Sequence, residues 1–279
     1  MKHAWVVAAV VLCLVMSSAW AFEFSLRTAR SLGMGDAVVA VANNGAAWYE
    51  NPAGLGSLMV TPREGSSWGA DAIATFGRAD SGPQDYDMWQ LTVSGRQPEK
   101  QWGLGAGVGD LEDNGKAAGV GYGSSFRDSA FSWGANVIWN DPDSADDFTT
   151  LNLGLMYLVE QPKNDALRLG MRVRDLTDES DIGPLFDVGV CWPATPLLNV
   201  MVDVIDITDE SDSGPFFNVG AECNLGRHRE WTIRAGALDS TNGHDLTLGA
   251  GYSSNNWRFD LGWADTADGT WMIDGGIAF

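Results

Sequence analysis

The feature that most constrains this chain is an alternation of apolar with small or polar residues, renewed about fourteen times between residues 65 and 279 and broken each time by a turn rich in Asp, Asn, Gly, Pro or Ser. Successive side chains of an extended strand point to opposite faces, so each run reads as a strand with two chemically different sides. Trp102, Leu104, Ala106 and Val108 alternate with Gly103, Gly105 and Gly107, and Phe131, Trp133, Ala135, Val137 and Trp139 alternate with Ser132, Gly134 and Asn136. The runs fall near 66–76, 86–95, 101–109, 117–126, 130–140, 148–159, 166–175, 184–192, 197–206, 215–224, 229–239, 244–252, 256–265 and 270–279. An even number of strands, each about ten residues long, suits a closed antiparallel barrel with both ends on one side of a membrane.

A soluble two-layer sandwich shows the same alternation, so the chemistry of the faces has to decide. Leu167, Leu169, Met171 and Val173 form one uncharged face, and Trp257, Phe259, Leu261 and Trp263 another; the opposite faces carry Arg168, Gly170, Arg172 and Arg174, and Arg258, Asp260 and Gly262. Tryptophans gather at two levels, Trp102, Trp192, Trp231 and Trp257 at one end of the strands and Trp89, Trp139, Trp263 and Trp271 at the other, as rings do at the two membrane–water boundaries. The expected fold is all-β: a transmembrane antiparallel β-barrel of about 14 strands, oily outside and small or ionic inside.

Ahead of the strands, Lys2, an apolar run from Ala4 to Met16 and Ala19-Trp20-Ala21 form a secretory signal with its cleavage site. The run is shorter than the roughly 20 residues a membrane-spanning helix needs. The chain therefore divides into a cleaved signal (1–21), an N-terminal segment (22–62) and the barrel (63–279). Of the cysteines that remain, Cys191 and Cys223 have strand parities that point them to opposite faces, which opposes a disulfide.

The net charge of −20 excludes nucleic acid as a partner, since phosphates would be repelled. The acids concentrate in one set of long connections, 110–116, 141–147, 176–183 and 207–214, whereas the turns around Arg96–Lys100, Arg127–Ser129, Pro193–Pro196 and Leu225–His228 are mostly short and hold more of the bases. Outer-membrane barrels have short periplasmic turns and longer outer loops. The expectation is an integral protein of a bacterial outer membrane, its termini periplasmic, its acidic rim outward, and lipid and lipopolysaccharide around it. Phe279, aromatic and last, is the expected signal for the barrel-insertion machinery. Residues 175–181 followed by Gly183-Pro184 repeat, 31 residues on, as 206–212 followed by Gly214-Pro215, which points to hairpin duplication.

The stretch Arg30-Ser31-Leu32-Gly33-Met34-Gly35-Asp36-Ala37, continuing to Trp48-Tyr49-Glu50-Asn51-Pro52-Ala53-Gly54-Leu55, resembles the N-terminal segment of the FadL-like outer-membrane barrels, and most closely their PorV/PorQ branch. Ile233-Arg234-Ala235-Gly236, Leu246–Tyr252 and Arg258-Phe259-Asp260 are also similar to that family. The resemblance implies a hatch inside a 14-stranded barrel, with Gly33, Met34, Gly35, Asn51, Pro52, Ala53, Gly54 and Leu55 as its motif. Gly103, Gly105, Gly107, Gly121, Gly123, Gly134, Gly154, Gly249 and Gly251 on the inner face would let such a backbone approach closely, and equally would permit curvature. Asp36 and Glu50 depart from the family pattern, and the chain is shorter than typical FadL transporters, without long apolar outer segments.

Inside, Arg168, Arg172, Arg174, Arg234 and Arg258 can face Asp187, Asp203, Glu222, Asp260 and Asp274, as an internal brace or as a polar conduit. Asp178, Glu179, Asp181, Asp209, Glu210 and Asp212, with Asp141, Asp143, Asp146 and Asp147, offer hard oxygen ligands for Ca²⁺ or a solvated anionic rim; they do not follow EF-hand spacing. Gly65-Ser66-Ser67-Trp68-Gly69 matches the nucleophile-elbow pattern but lacks a following helix, and His228 and His244 fall at opposite barrel ends. No catalytic residue, cofactor or firm metal site is expected. The expected function is that of a PorV/PorQ-type barrel for secretion or surface attachment, with type IX-like components as partners; the alternatives are FadL-like passage of small hydrophobic compounds and a structural barrel whose acidic loops bind cations.

Overall fold

The computed structural model describes residues 26–58, 66–80, 85–112, 115–126, 130–143, 146–159, 166–177, 183–209, 214–240, 243–254, 256–266 and 269–279. The strands are β1 (Gly69–Asp80), β2 (Asp85–Gln97), β3 (Trp102–Leu111), β4 (Gly115–Ser125), β5 (Phe131–Asp141), β6 (Phe148–Val159), β7 (Leu167–Arg174), β8 (Leu185–Pro193), β9 (Leu198–Ile205), β10 (Phe216–Leu225), β11 (Trp231–Ser240), β12 (Gly243–Ser254), β13 (Trp257–Ala264) and β14 (Thr270–Ala278). Each pairs antiparallel with its chain neighbours, and β1 pairs with β14, so the sheet closes on itself. Closure runs from Asp71↔Ala278 to Arg78↔Trp271, and Ala70 and Phe279 exchange backbone hydrogen bonds of 2.6 and 2.8 Å at the seam. A closed ladder leaves no edge amide to face hydrocarbon, the condition for crossing a bilayer with strands. Among the described residues no helix is long and apolar enough to cross.

The alternation of the sequence maps onto the wall. On β13 Trp257, Phe259, Leu261 and Trp263 are exposed while Asp260, Gly262 and Ala264 are covered; on β8 Val190 and Trp192 are exposed while Asp187, Gly189 and Cys191 are covered. A large apolar side chain left even half in water costs about 1 kcal/mol, so ten of them would offset the whole net stability of about 5–15 kcal/mol typical of a folded domain. The outer face is therefore a lipid-facing surface. Cys191 points inward and Cys223 outward, and both are free thiols.

Aromatic rings mark the two levels. At the end that carries both chain termini of the barrel, Trp68, Trp102, Tyr122 and Trp133 form a chain of contacts with ring centroids 4.7, 6.2 and 5.6 Å apart, and Trp231 meets Tyr252 at 4.7 Å. At the other end Trp263 and Trp271 are register partners, with Trp89 and Trp139 at the same level on β2 and β5.

Strand ends follow local chemistry. The first strand begins at Gly69 rather than near residue 66 because the Ser66 hydroxyl bonds both the N–H and the carbonyl of Trp68 (3.1 and 3.0 Å), satisfying that backbone without a ladder partner. The 31-residue repeat has a shared geometry. Asp175 and Asp206 both turn left-handed (φ 50° and 52°), each followed by an amide that returns to the ladder: Leu176 to Leu151 O, 2.9 Å, and Ile207 to Phe186 O, 2.8 Å. Three hairpins also share one staple, in which an inward side chain of the first strand accepts the amide at the end of the second. The pairs are Asn152 with Asp175 (2.8 Å), Asp187 with Asp206 (3.0 Å) and Asn218 with Asp239 (3.1 Å).

Candidate functional site

Residues 26–58 pack against the inward face of the wall and hold most of the buried apolar side chains. Thr28 and Ser31 cap helix α1 (Ala29–Gly33) reciprocally, the Thr28 hydroxyl accepting Ser31 N–H at 3.1 Å and the Ser31 hydroxyl accepting Thr28 N–H at 2.9 Å. Gly35 and Asp36 then turn left-handed (φ 62° and 54°), and Gly35 has no room for a side chain because Ala237 backbone stands where its Cβ would be. A second short helix, α2 (Ala47–Glu50), leads into a 3₁₀ helix (Pro52–Ser57) capped by Asn51, whose Oδ1 accepts Ala53 N–H at 3.1 Å. The Asn51 amide donates to Val39 O at 2.7 Å, so this one residue ties the two halves of the segment together.

The wall is shaped to this segment. Trp48 is fully buried, its ring laid on glycines of β3 and β4: a methyl at Gly107 would come within 2.6 Å of Trp48 Cζ2, and one at Gly119 within 2.6 Å of Cζ3. Gly134 and Gly154 similarly receive Pro52 and Asn51, and Gly33 lies against Gly249, each within 3.0 Å of where the other's Cβ would be. Gly103, Gly105, Gly121 and Gly123 meet Leu55, Trp48 or Pro52. Gly251 differs from its expected place, since it makes room for the Arg234–Asp260 pair rather than for the segment.

The inner charges form two groups. Asp187, fully buried, accepts from Arg172 (2.8 Å) and Arg174 (2.7 Å). Arg234 bridges Glu222 (2.9 Å) and Asp260 (2.7 Å), while Arg258 reaches Asp260 (3.4 Å) and Asp71 (3.1 Å). Asp203 and Asp274, expected to face arginines, instead accept backbone amides of the segment, from Val39 at 2.8 Å and from Arg30 at 3.4 Å. The reason is proximity: the segment's own backbone lies nearer to these carboxylates than any guanidinium does. Arg168 stands across the ladder from Cys191, toward the end that carries the termini. Residues of the segment itself join the network: Arg30 binds Glu222 (3.2 Å), and Asp71, beyond the expected set, accepts Gly45 N–H at 2.6 Å. Charged residues inside an apolar-looking motif were the signal for Arg30 and Glu50; Asp71 lies at the inward parity of β1.

Glu50 is buried with Thr28 Oγ1 3.4 Å away, while Arg172 donates to its main-chain carbonyl at 2.7 Å. Burial pushes its carboxyl up to about 7 despite the opposing attraction of Arg30, with Asp36 and Asp274 adding to the rise.

On the lipid side of the same glycine patch lies an apolar recess of about 600 Å³ that spans β1 to β6. Ala70, Gly95, Ala106 and Ala135 leave it open, Trp68 and Tyr122 stand at its rim, and Gly105 and Gly121 belong both to its floor and to the bed of Trp48. At this place the barrel is one backbone thick.

The remaining candidates are dispersed. Asp178, Glu179, Asp181, Glu210 and Asp212 lie outside the described residues, as does the signal segment; Asp209 Oδ1 accepts Gly214 N–H at 2.9 Å, and Asp143, Asp146 and Asp147 are exposed. Among the described residues no group of three or more acidic, His or Cys side chains is arranged to hold a metal ion. Ser66 sits in a turn before a strand, and His228 and His244 are at opposite barrel ends, His244 beside Asp239 at 3.2 Å.

No family model and no curated protein sequence matches the chain. Its fold is similar to that of the Ralstonia pickettii toluene transporter TbuX (TM-score 0.60, 16% identity, covering 92% of this chain and 98% of that one). It is also similar to the Pseudomonas putida toluene transporter TodX (TM-score 0.56, 13% identity, 93% and 99% covered) and to a TodX ΔS2S3 mutant described as a monoaromatic hydrocarbon channel (TM-score 0.58, 13% identity, 92% and 99% covered). The chain thus shares with these transporters a closed 14-stranded barrel fold.

Proposed function

We propose that this is a non-enzymatic barrel of the bacterial outer membrane, its termini periplasmic, that passes small hydrophobic compounds, with residues 26–58 as its movable plug. The observation that carries the reading is the apolar recess backed by side-chain-free wall, with Trp48 on the other side. Inside its Trp68 and Tyr122 rim the recess presents apolar side chains, Asn136 turning its amide to the lumen and the Trp48 carbonyl, so an apolar solute that reaches it would leave toward lipid rather than water. The fold likeness to TbuX and TodX supports the same reading. The test is uptake of toluene by cells whose outer membrane holds the full chain, against cells carrying Trp48→Ala or no barrel. Faster uptake with the chain, altered by Trp48→Ala, is expected; equal uptake in all three refutes the reading.

A second reading keeps the barrel but assigns it to secretion or surface attachment of PorV/PorQ type. What favours it is the Met34-Gly35 and Asn51–Leu55 motif, whose residues make the turn and the cap described above. Co-purification with large exported proteins, and loss of their surface delivery on deletion, would support it; normal delivery would exclude it.

A further inference from the structure

The recess on the lipid side of the wall has a shape that a small ring alone does not use. Two neighbouring rows of lipid-facing register partners form it: Val93, Ala106, Val120, Val137 and Leu151 across β2 to β6, and beside them a row from Ala70 through Gly95 to Ala135 across β1 to β5. With strands about 4.8 Å apart and like-facing residues about 7 Å apart along each, six strands make a trough about 24 Å long and about 7 Å wide. The trough is also inclined. Ala70 is the second residue of β1, at the end that carries the termini, whereas Leu151 lies near the first residue of β6, at the opposite end. Strands of such barrels tilt by about 40°, so the row rises by about 15 Å along its length. That is half of the roughly 30 Å hydrocarbon core, the depth that the chains of one leaflet fill.

Lipid tails are as apolar as the wall, so what holds a molecule there is close van der Waals contact rather than flight from water. A trough left unfilled forfeits those contacts. A second copy of the barrel does not supply them, since an isologous pair would set the same hollow against itself. We propose that the trough seats one acyl chain of a phospholipid from the leaflet at the terminus end, with its headgroup at the level of the aromatic rim and its methyl end beside Leu151. The rim marks the entrance: Trp68 stands edge-on to Trp102 at 4.7 Å, and Trp102 stacks on Tyr122 at 6.2 Å, the kind of amphipathic rings that lie at a headgroup boundary. The small residues set the depth, for Ala106 and Ala135 stand where the far wall presents Ile233, Leu248 and Leu261, each more than half exposed. This goes beyond passage of solutes and rests on the orientation proposed above, which puts the entrance in the phospholipid leaflet rather than the lipopolysaccharide one.

The test weighs the intact full chain by native mass spectrometry after extraction from outer membranes in mild detergent. The parent carries one phospholipid per barrel, and the Ala106→Leu/Ala135→Leu variant, whose trough is filled, carries it roughly ten-fold less often. Ala235→Leu/Ala250→Leu adds the same bulk at lipid-facing alanines of β11 and β12, outside the trough, and retains lipid as the parent does. A parallel measurement needs no variant. Parent barrels in vesicles of phosphatidylethanolamine and phosphatidylglycerol, with a diazirine in the phosphatidylglycerol chain, are irradiated and digested, and the label concentrates on β3 to β5. No phospholipid on the parent, equal retention by the filled variant, or label spread evenly round the barrel overturns the proposal. So does a lipid-free dimer of barrels. Lipopolysaccharide bound in place of phospholipid overturns it together with the periplasmic placement of the termini, whereas toluene uptake by the same variants reads the passage proposal separately.

Discussion

Replacing Glu50 by glutamine isolates the most unusual charge in the segment. An undocked Glu50 in water has its ordinary value near 4.5, whereas the docked carboxyl is pushed up to about 7. Below about 4.5 the group is neutral in both states and docking carries no charge penalty. As pH rises from there through about 7, the undocked state ionises first, so docking is progressively weakened; above 7 the loss is complete. The rise from 4.5 to about 7 corresponds to about 3 kcal/mol, or on the order of a hundred-fold in the docked-to-undocked ratio. The glutamine amide is neutral throughout, so the comparison cancels other titrating acids. Single-channel recording in planar bilayers, at pH 4.5 and pH 8, reads the open fraction. The parent should open far more often relative to Glu50→Gln at pH 8 than at pH 4.5. A parent-to-variant ratio that does not change with pH would refute the burial argument.

Three further outcomes follow from the geometry. Gly134→Val places a side chain where Pro52 now lies, and should raise conductance and sensitivity to large antibiotics while leaving the heat-modifiable band intact, as gel shift and growth assays would show. Asp187→Ala strands Arg172 and Arg174 in the interior and should cost about 3–5 kcal/mol, seen as a lower temperature for loss of the folded band; Asp187→Asn, which keeps the acceptor for Asp206, should cost less. Cys191 and Cys223 should stay unlinked, so migration with and without reductant should be identical, and a lipid-phase quencher should reach a dye on Cys223 but not one on Cys191.

Much of the barrel was legible because a strand writes its two faces directly into alternate residues: the runs at 148–159 and 270–279 lie within a residue of β6 and β14. Loop-side ends were less legible, since β1 continues to Asp80 through pairing with β2, a ladder that composition does not announce. The inner charges were legible as a set, yet their partners were not. Asp203 and Asp274 read as acids awaiting arginines, and whether a carboxylate meets a guanidinium or a main-chain amide depends on where a distant segment lies. The recess was illegible for a related reason: Ala70, Gly95, Ala106 and Ala135 are far apart in the chain and become neighbours when their strands stand side by side.

The staple shared by Asn152, Asp187 and Asn218 has an evolutionary side. A two-strand unit that carries both halves of its own clasp needs nothing from its flanks to hold its far end in line. Copies of it enter or leave a cylinder as whole pages do a ring binder, always in twos, so circumference changes while parity, and with it the sidedness of both termini, is conserved.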